Sequence, residues 1–232
     1  MTALDTFEVP TAVVEDLYRD VHKAIRVGLF TATATAGRTD PNDDAARAGL
    51  ALSVRDLVDF LDQHAEHEDG AVAPVLEVHL PELGEKITED HRLFEGRGAY
   101  LVDLADAVAE AHPDDRRILL HALYLDLAGF TSIYLAHQDI EERTIMPALE
   151  AAVGPEQTFA IHQQILAGIA PDDMARALAM MLPAMNLDDR TDMLSGMQAG
   201  APPEVFQGVF GLASTVLEPA DHAALARRLG LA

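Results

Sequence analysis

Two stretches, HAEHEDGAVAPVL at residues 64–76 and HQDIEERTIMPAL at residues 137–149, decide the fold. Both read His-x-x-x-Glu and then Pro-x-Leu at the same offsets. Residues four apart on a helix are neighbours, so each motif presents an imidazole and a carboxylate from one face. One such pair can bind a borderline cation, and two pairs facing each other can bind two. The repeat predicts two metal-binding helices, each ended by its proline about two turns later.

Two further histidines lie on helical apolar stripes. His22 follows Leu17 and precedes Ile25, and His91 precedes Phe94. The separation from His22 to His64 resembles that from His91 to His137, as expected for a duplicated pair of helices. A single buried histidine is usually only a hydrogen-bonded core residue. Four helices that each offer an imidazole, two of them with a glutamate, instead favour convergence on one metal centre.

The hydrophobic periodicity predicts an all-α fold, with an antiparallel up-down-up-down four-helix bundle over residues 10–153. The first predicted helix starts after Pro10 and reaches about Thr35. The second carries Leu50 to Leu61 and fades near 74–80. The third and fourth cover about 84–111 and 114–152. Residues 154–232 are predicted to form a C-terminal extension of four or five short helices. Proline followed by an acid marks most of their starts, and the methionines there are typical of packing. We expect the extension to serve packing or oligomerisation, including a homodimer through these helices.

Composition narrows the function. The chain has 232 residues, 49% of them hydrophobic, and a formal net charge of -23, which disfavours nucleic acid and anionic lipid as partners. Because cysteine is absent, disulfides, thiolate ligands and iron–sulfur clusters are excluded. The sequence shows no secretory signal, phosphate-binding loop or serine nucleophile elbow, and no apolar run long enough to span a bilayer. A soluble cytoplasmic protein without a membrane partner is the expectation.

The histidine and glutamate motifs, with Asp90 before His91, resemble the hemerythrin-like HHE cation-binding family over about residues 10–153. The resemblance implies a four-helix bundle that holds two metal ions joined by carboxylates. Iron is the expected metal, with zinc or manganese as alternatives. It also implies terminal ligands and bridging ligands at these positions: His22, His64, His91 and His137 as terminal ligands, and Glu68 and Glu141 as bridges.

The sequence departs from the oxygen-carrying hemerythrins at three places, one of which is the end of the helix-four motif, where two glutamates, Glu141 and Glu142, follow each other. Where those carriers offer a second histidine one turn after His91, this chain has Glu95, which could bind the second ion or hydrogen-bond His91. Helix two has an additional histidine, His67, which is either a further ligand or partner to a ligand, or a surface residue. Tyr18 and Tyr134 lie about one turn before ligands and are either pocket-lining or core residues.

A site with fewer imidazoles and more carboxylate stabilises oxidised metal, which favours turnover of oxygen, peroxide or nitric oxide over reversible oxygen carriage. Decomposition of peroxide by a di-iron oxidoreductase is the preferred function. The alternatives are a non-catalytic module that senses or stores oxygen, nitric oxide or iron, and a structural bundle that holds zinc.

Overall fold

The computed structural model describes residues 11–231, which are helical almost throughout and contain no strand. The all-α class is therefore confirmed. The helices run in the following order: α1 Arg19–Arg38, α2 Asp44–Ala71, α3 Ala73–His79, α4 Pro81–Ala109, α5 Arg116–Ile140, a π-helical segment Glu141–Ile145, α6 Met146–Val153, α7 Pro155–Gly168, α8 Pro171–Ala184, α9 Leu187–Gly200, α10 Pro203–Val216 and α11 Pro219–Arg228.

The chain divides into two compact units. Within the described residues, the first consists of 11–18 and 28–168, and the second of 19–27 and 169–231. The first unit therefore extends past the predicted boundary at 153–154 and includes α7. The predicted boundary itself stays a prediction.

The long helices of the first unit pack around α4, which contacts both α2 and α5. The contact between α2 and α4 is close, because a Cβ added at Gly98 would lie 2.9 Å from Val58 Cγ1. At one end, the fully buried Arg47 donates hydrogen bonds to the carbonyl oxygens of Val108 and Pro41. These contacts fix α2 to its neighbours, as the burial of a guanidinium requires.

The first helix begins later than predicted. Residues 11–18 are not helical, and α1 starts at Arg19; Pro10, the predicted start, lies outside the described residues. The N–H groups of Val14 and Glu15 donate to the Glu150 carboxylate over 2.9–3.0 Å. Because this carboxylate accepts hydrogen bonds from both N–H groups, the backbone there is satisfied without a helix.

The helical segments before Pro74 and Pro147 end at Ala71 and Ile145, as predicted, but a further helical segment follows each of them almost at once. Each proline occupies the first turn of a new helical segment, α3 and α6, where its missing N–H costs nothing. The predicted fourth helix likewise is interrupted by the π-helical segment, closed by a Met146 N–H donated to the carbonyl of Glu141. A π-turn adds a residue to the helix and is frequent at functional sites.

The stretch Arg116–Val153 is long and apolar enough to cross a membrane by length and composition alone. The core helix of a soluble protein passes the same test, so this finding is weak evidence for a membrane span. The length of this stretch differs from the expectation that no apolar run is long enough to span a bilayer. About a third of its most apolar window is buried.

The second unit has a hydrophobic core of its own, formed by residues such as Leu178, Leu182, Leu194 and Ala213. The predicted helix starts at Pro155, Pro171, Pro203 and Pro219 are all found at the first helical position. Helix α9 lacks this proline, and the side chain of Asn186 caps its first turn instead.

Candidate metal centre

Each of the two sequence motifs forms a His–Glu pair within one helical turn. His64 Nε2 lies 2.8 Å from Glu68 Oε1 on α2, and His137 Nε2 lies 3.1 Å from Glu141 Oε1 at the junction of α5 and the π-helical segment. The two glutamates are almost completely buried, as is His137. The predicted common face of each pair is therefore present in the structure.

The carboxylate of Glu68 connects the two motifs through His91 of α4. Its Oε1 atom faces His64, whereas its Oε2 atom lies 3.4 Å from His91 Nε2. His91 Nε2 lies 3.9 Å from Glu141 Oε1, and the His91 and His137 rings are 5.1 Å apart between centroids. A carboxylate with its two oxygens turned toward different imidazoles has the orientation of a bridging ligand.

Two groups of three side chains in the described part of the chain place their donor atoms within 4.8 Å of one another, close enough for one metal ion each. One group is His91, His137 and Glu141, all buried. The other includes His64 and Glu68. Five of the six residues predicted as principal ligands thus lie in the first unit, and His22, which is buried on α1, belongs to the second unit.

The outer nitrogens of two of these histidines hydrogen-bond to carboxylates. His91 Nδ1 lies 2.8 Å from Asp69 Oδ1, and His137 Nδ1 lies 3.3 Å from Asp90 Oδ2. An Nδ1–H that donates to a carboxylate leaves Nε2 as the free donor toward a metal and holds the ring in place. The sequence had assigned no role to Asp69, and Asp90 entered only through the resemblance; each is adjacent in sequence to a candidate ligand.

The buried charges of the centre favour a cation. Burial, followed by the charge of Glu68, raises the pKa of Glu141 well above its ordinary value. Burial also lowers the pKa of His137 to about 4. Burial acts to raise the pKa of Glu68 too, but the interactions with His64 and His91 outweigh it and lower that pKa. Burial beside Glu68 thus favours the neutral form of Glu141, whereas the histidines favour the ionised form of Glu68, and a bound cation would offset the cost of ionising both carboxylates.

Two buried tyrosines lie close enough to the centre to sense its charge. Tyr18 and Tyr134 are each 2% exposed, and burial together with the charges of Glu68 and Glu141 raises both pKa values well above the ordinary value. The Tyr134 ring lies 5.7 Å from the His137 ring, between centroids. Both tyrosines belong to the core, and Tyr134 also lines a cavity that reaches His91.

A cavity of about 240 Å³ extends from the surface to His91. Its inner wall is apolar and includes Phe94, Phe130 and Tyr134. Charged residues also line it: Asp62, Glu66, Asp69, Arg92 and Glu95. Burial, followed by the charge of Glu95, raises the pKa of the half-buried Asp62 to about 6. The acidic lining favours neutral or positively charged molecules over anions.

The two further predicted ligands stand outside both groups of three. Glu95 is exposed and lines the cavity, where its charge acts on Asp62. His67 is half-buried, and its imidazole carbon Cδ2 lies 4.0 Å from the Cβ position of Gly168 on α7. Neither residue contributes a donor atom to the two groups.

The sequence matches the family described as hemerythrin HHE cation binding domain over residues 13–149. The chain belongs to this family. The matched range covers more than half of the chain and includes every residue of the two groups of three. The searches of curated proteins and of solved structures gave no match. The hemerythrin-like domain therefore assigns cation binding to the region where the structure assembles its buried histidines and glutamates.

Proposed function

We propose that this hemerythrin-like protein holds two iron ions in an up-down-up-down four-helix bundle and decomposes peroxide. His91, His137 and Glu141 would hold one ion, and His22, His64 and Glu68 the other, with Glu68 and Glu141 as bridges. The observation that carries the metal site is the position of Glu68, whose two carboxylate oxygens face imidazoles from different helices. Bound iron would supply the one-electron and two-electron redox chemistry that amino-acid side chains lack.

Iron suits the donor set because every candidate ligand offers nitrogen or oxygen, and the chain has no cysteine. Zinc and manganese accept the same donors, so metal analysis must decide among them. The hydrogen bonds that the imidazoles donate to Asp69 and Asp90 orient the rings before any metal arrives, which lowers the cost of assembling the site. Glu141 is able to exchange a proton for a cation, since burial beside Glu68 favours its neutral form.

The cavity at His91 supports a small neutral substrate. Its volume of about 240 Å³ accommodates a diatomic molecule or hydrogen peroxide, and its acidic lining disfavours anions. Phe94 and Phe130 line the same cavity as His91 and make that wall apolar. The reaction preferred here consumes two hydrogen peroxide molecules and yields two waters and one dioxygen, so it needs no external reductant.

Oxygen evolution by the iron-loaded protein after addition of hydrogen peroxide tests this proposal. We expect sustained evolution over many turnovers, and its loss in His91→Ala with the fold retained by circular dichroism. The exposed Leu93→Ala on the same helix serves as the matched control. Binding of oxygen or nitric oxide without turnover would instead support a sensing or storage module. A colourless protein that retains zinc and gains no activity with iron would support a structural zinc bundle.

A further inference from the structure

The outward face of α5 is apolar and lacks a partner in the described chain. Ile118 is 68% exposed and Leu125 53%, and Tyr124 and Ile133 are each 36% exposed. A single exposed apolar residue is ordinary, but Ile118 and Leu125 follow one line along the helix, with Tyr124 to one side of that line and Ile133 to the other. This surface explains why a helix that passes the composition test for a membrane span has only a third of its most apolar window buried.

Helix α1 continues this surface on the first unit. Ala34 and Gly37 border the same groove as Tyr124 and Ile118. Phe30 lies one turn before Ala34 on that side of α1 and is 54% exposed. We call the surface formed by Phe30, Ile118, Tyr124 and Leu125 the α5 face.

The size of the α5 face is that of an interface. Side chains of these types, exposed to this extent, present on the order of 400 Å² of apolar area, which is within the range of the largest patch on a soluble monomer. A stable dimer buries about 800 Å² on each partner, including a polar rim. The α5 face is therefore large enough to form the centre of such an interface.

The charge of the α5 face favours a second copy of this chain. The protein carries a net charge of -23, and most of its surface would repel another copy. From Arg116 to Gln138, however, Asp126 is the only acidic residue. Two copies can therefore meet at this face without placing acid against acid, whereas a basic partner would be attracted to other surfaces.

The sequence of the face is self-complementary in the antiparallel direction. Ile118, Leu125 and Ser132 are seven residues apart and so follow one line along the helix. The large residue Ile118 lies toward the amino end of α5, and the small residues Gly129 and Ser132 lie toward its carboxyl end. With Leu125 at a two-fold axis, Ile118 of each copy would face Ser132 of the other. Gly129 has open space around its Cβ position, which leaves room for close approach.

We propose that the α5 face binds a second copy of the protein, with α5 antiparallel to its counterpart and Leu125 facing itself across the axis. This inference goes beyond the proposed function and does not depend on bound metal. It assigns a dimer surface different from the C-terminal helices. Because the two copies are equivalent, each contact occurs twice, which is the usual closed arrangement of a homodimer.

Sedimentation equilibrium of the full chain tests this proposal. We expect a species of two 25.0 kDa chains at micromolar concentration. Leu125→Glu would place like charges opposite each other, so we expect the dissociation constant to rise at least about a hundredfold. Leu125→Lys should do the same. Mixing the two variants should restore the dimer. If position 125 faces itself across the axis, a mixed dimer places Glu of one copy opposite Lys of the other.

Leu52→Glu, at a leucine 63% exposed on α2, is the matched control and should leave the dimer unchanged. Circular dichroism of each variant confirms that the fold is retained. A wild-type chain that stays monomeric at 200 µM would overturn the proposal, as would a dimer that tolerates Leu125→Glu or a mixture that does not reassociate. Binding of the monomer to neutral phosphatidylcholine vesicles, lost in Leu125→Glu, would assign the face to a membrane instead.

Discussion

Replacement of Glu141 by glutamine should have opposite consequences in the metal-free and metal-loaded protein. In the metal-free site, Glu141 is completely buried beside Glu68, and its pKa lies well above the ordinary value. Glutamine has the shape of the protonated carboxyl and no charge to lose. We therefore expect the free energy of unfolding of the metal-free variant to lie within about 1 kcal/mol of wild type near pH 5.

The pH dependence of the metal-free proteins follows from the sign of this shift. An acid whose pKa is higher in the folded state contributes stability at low pH, which is lost as pH rises from its unfolded value of about 4.5 toward the folded value. Wild type should therefore lose stability relative to Glu141→Gln as pH rises from 5 to 8. The variant should be the more stable of the two at pH 8.

Metal reverses this order. A ligand present at a hundred times its dissociation constant stabilises the folded state by about 2.7 kcal/mol, which raises Tm by about 5–10 °C for a chain of this size. Loss of a ligand oxygen at Glu141 should weaken binding at least a hundredfold, and so should remove nearly all of this increase. Metal addition to wild type should also release a proton that the variant does not hold.

Thermal unfolding at 222 nm, in chelator and with anaerobic ferrous iron, measures both effects. Glu89→Gln, an exposed glutamate on α4, is the control and should behave as wild type under both conditions. The reasoning would be refuted if wild type gained no Tm from metal. It would also be refuted if Glu141→Gln were destabilised equally with and without metal, since that result describes a structural residue only.

Three further substitutions follow from the geometry. Asp90→Asn should weaken metal binding 10–100-fold by isothermal titration calorimetry, because the carboxylate no longer orients His137. Asp62→Asn should raise the free energy of unfolding of the metal-free protein by about 1 kcal/mol above pH 6 and change it little at pH 4, as measured by urea unfolding. The reason is that the raised pKa of Asp62, about 6, makes its ionised form unfavourable in the folded protein, while solvent screening limits the gain. Gly98→Ala should lower the free energy of unfolding by about 1–3 kcal/mol, because the added Cβ would clash with Val58. In a protein that already carries Val58→Ala, the added Cβ has room and the same substitution should be stabilising.

Each of these substitutions has a result that would count against it. Asp103→Asn, on the exposed side of α4, is the control for Asp90 and should keep full affinity. An equal loss of metal affinity in Asp90→Asn and Asp103→Asn would indicate a diffuse electrostatic effect. A stability gain for Asp62→Asn that is independent of pH would contradict the assigned titration. Equal effects of Gly98→Ala in both backgrounds would show that Val58 does not set the cost.

The repeated motif made the site predictable from sequence, because helical spacing fixes which side chains share a face. The same spacing placed His64 with Glu68 and His137 with Glu141, and the structure has both pairs in contact. His91 could be added because its apolar neighbours indicated burial. Local sequence is sufficient for such inferences when the interacting residues lie within two turns of one helix.

Other features depended on contacts that local sequence does not contain. Pro74 and Pro147 were taken as helix ends, although a proline is equally compatible with the first turn of the next segment. In so acidic a chain, the carboxylates of Asp69 and Asp90 could not be distinguished from surface residues until the structure showed them against imidazoles. The start of α1 depended on Glu150, which is more than 130 residues distant.

Anomalous diffraction at the iron K edge, from crystals of protein loaded anaerobically with ferrous iron, tests the central claim most directly. We predict two anomalous peaks inside the bundle, one bound by His91, His137 and Glu141, and both in contact with Glu68. Crystals whose only anomalous peaks lie at the acidic surface, with the buried histidines and glutamates bound to protein groups alone, would contradict the account.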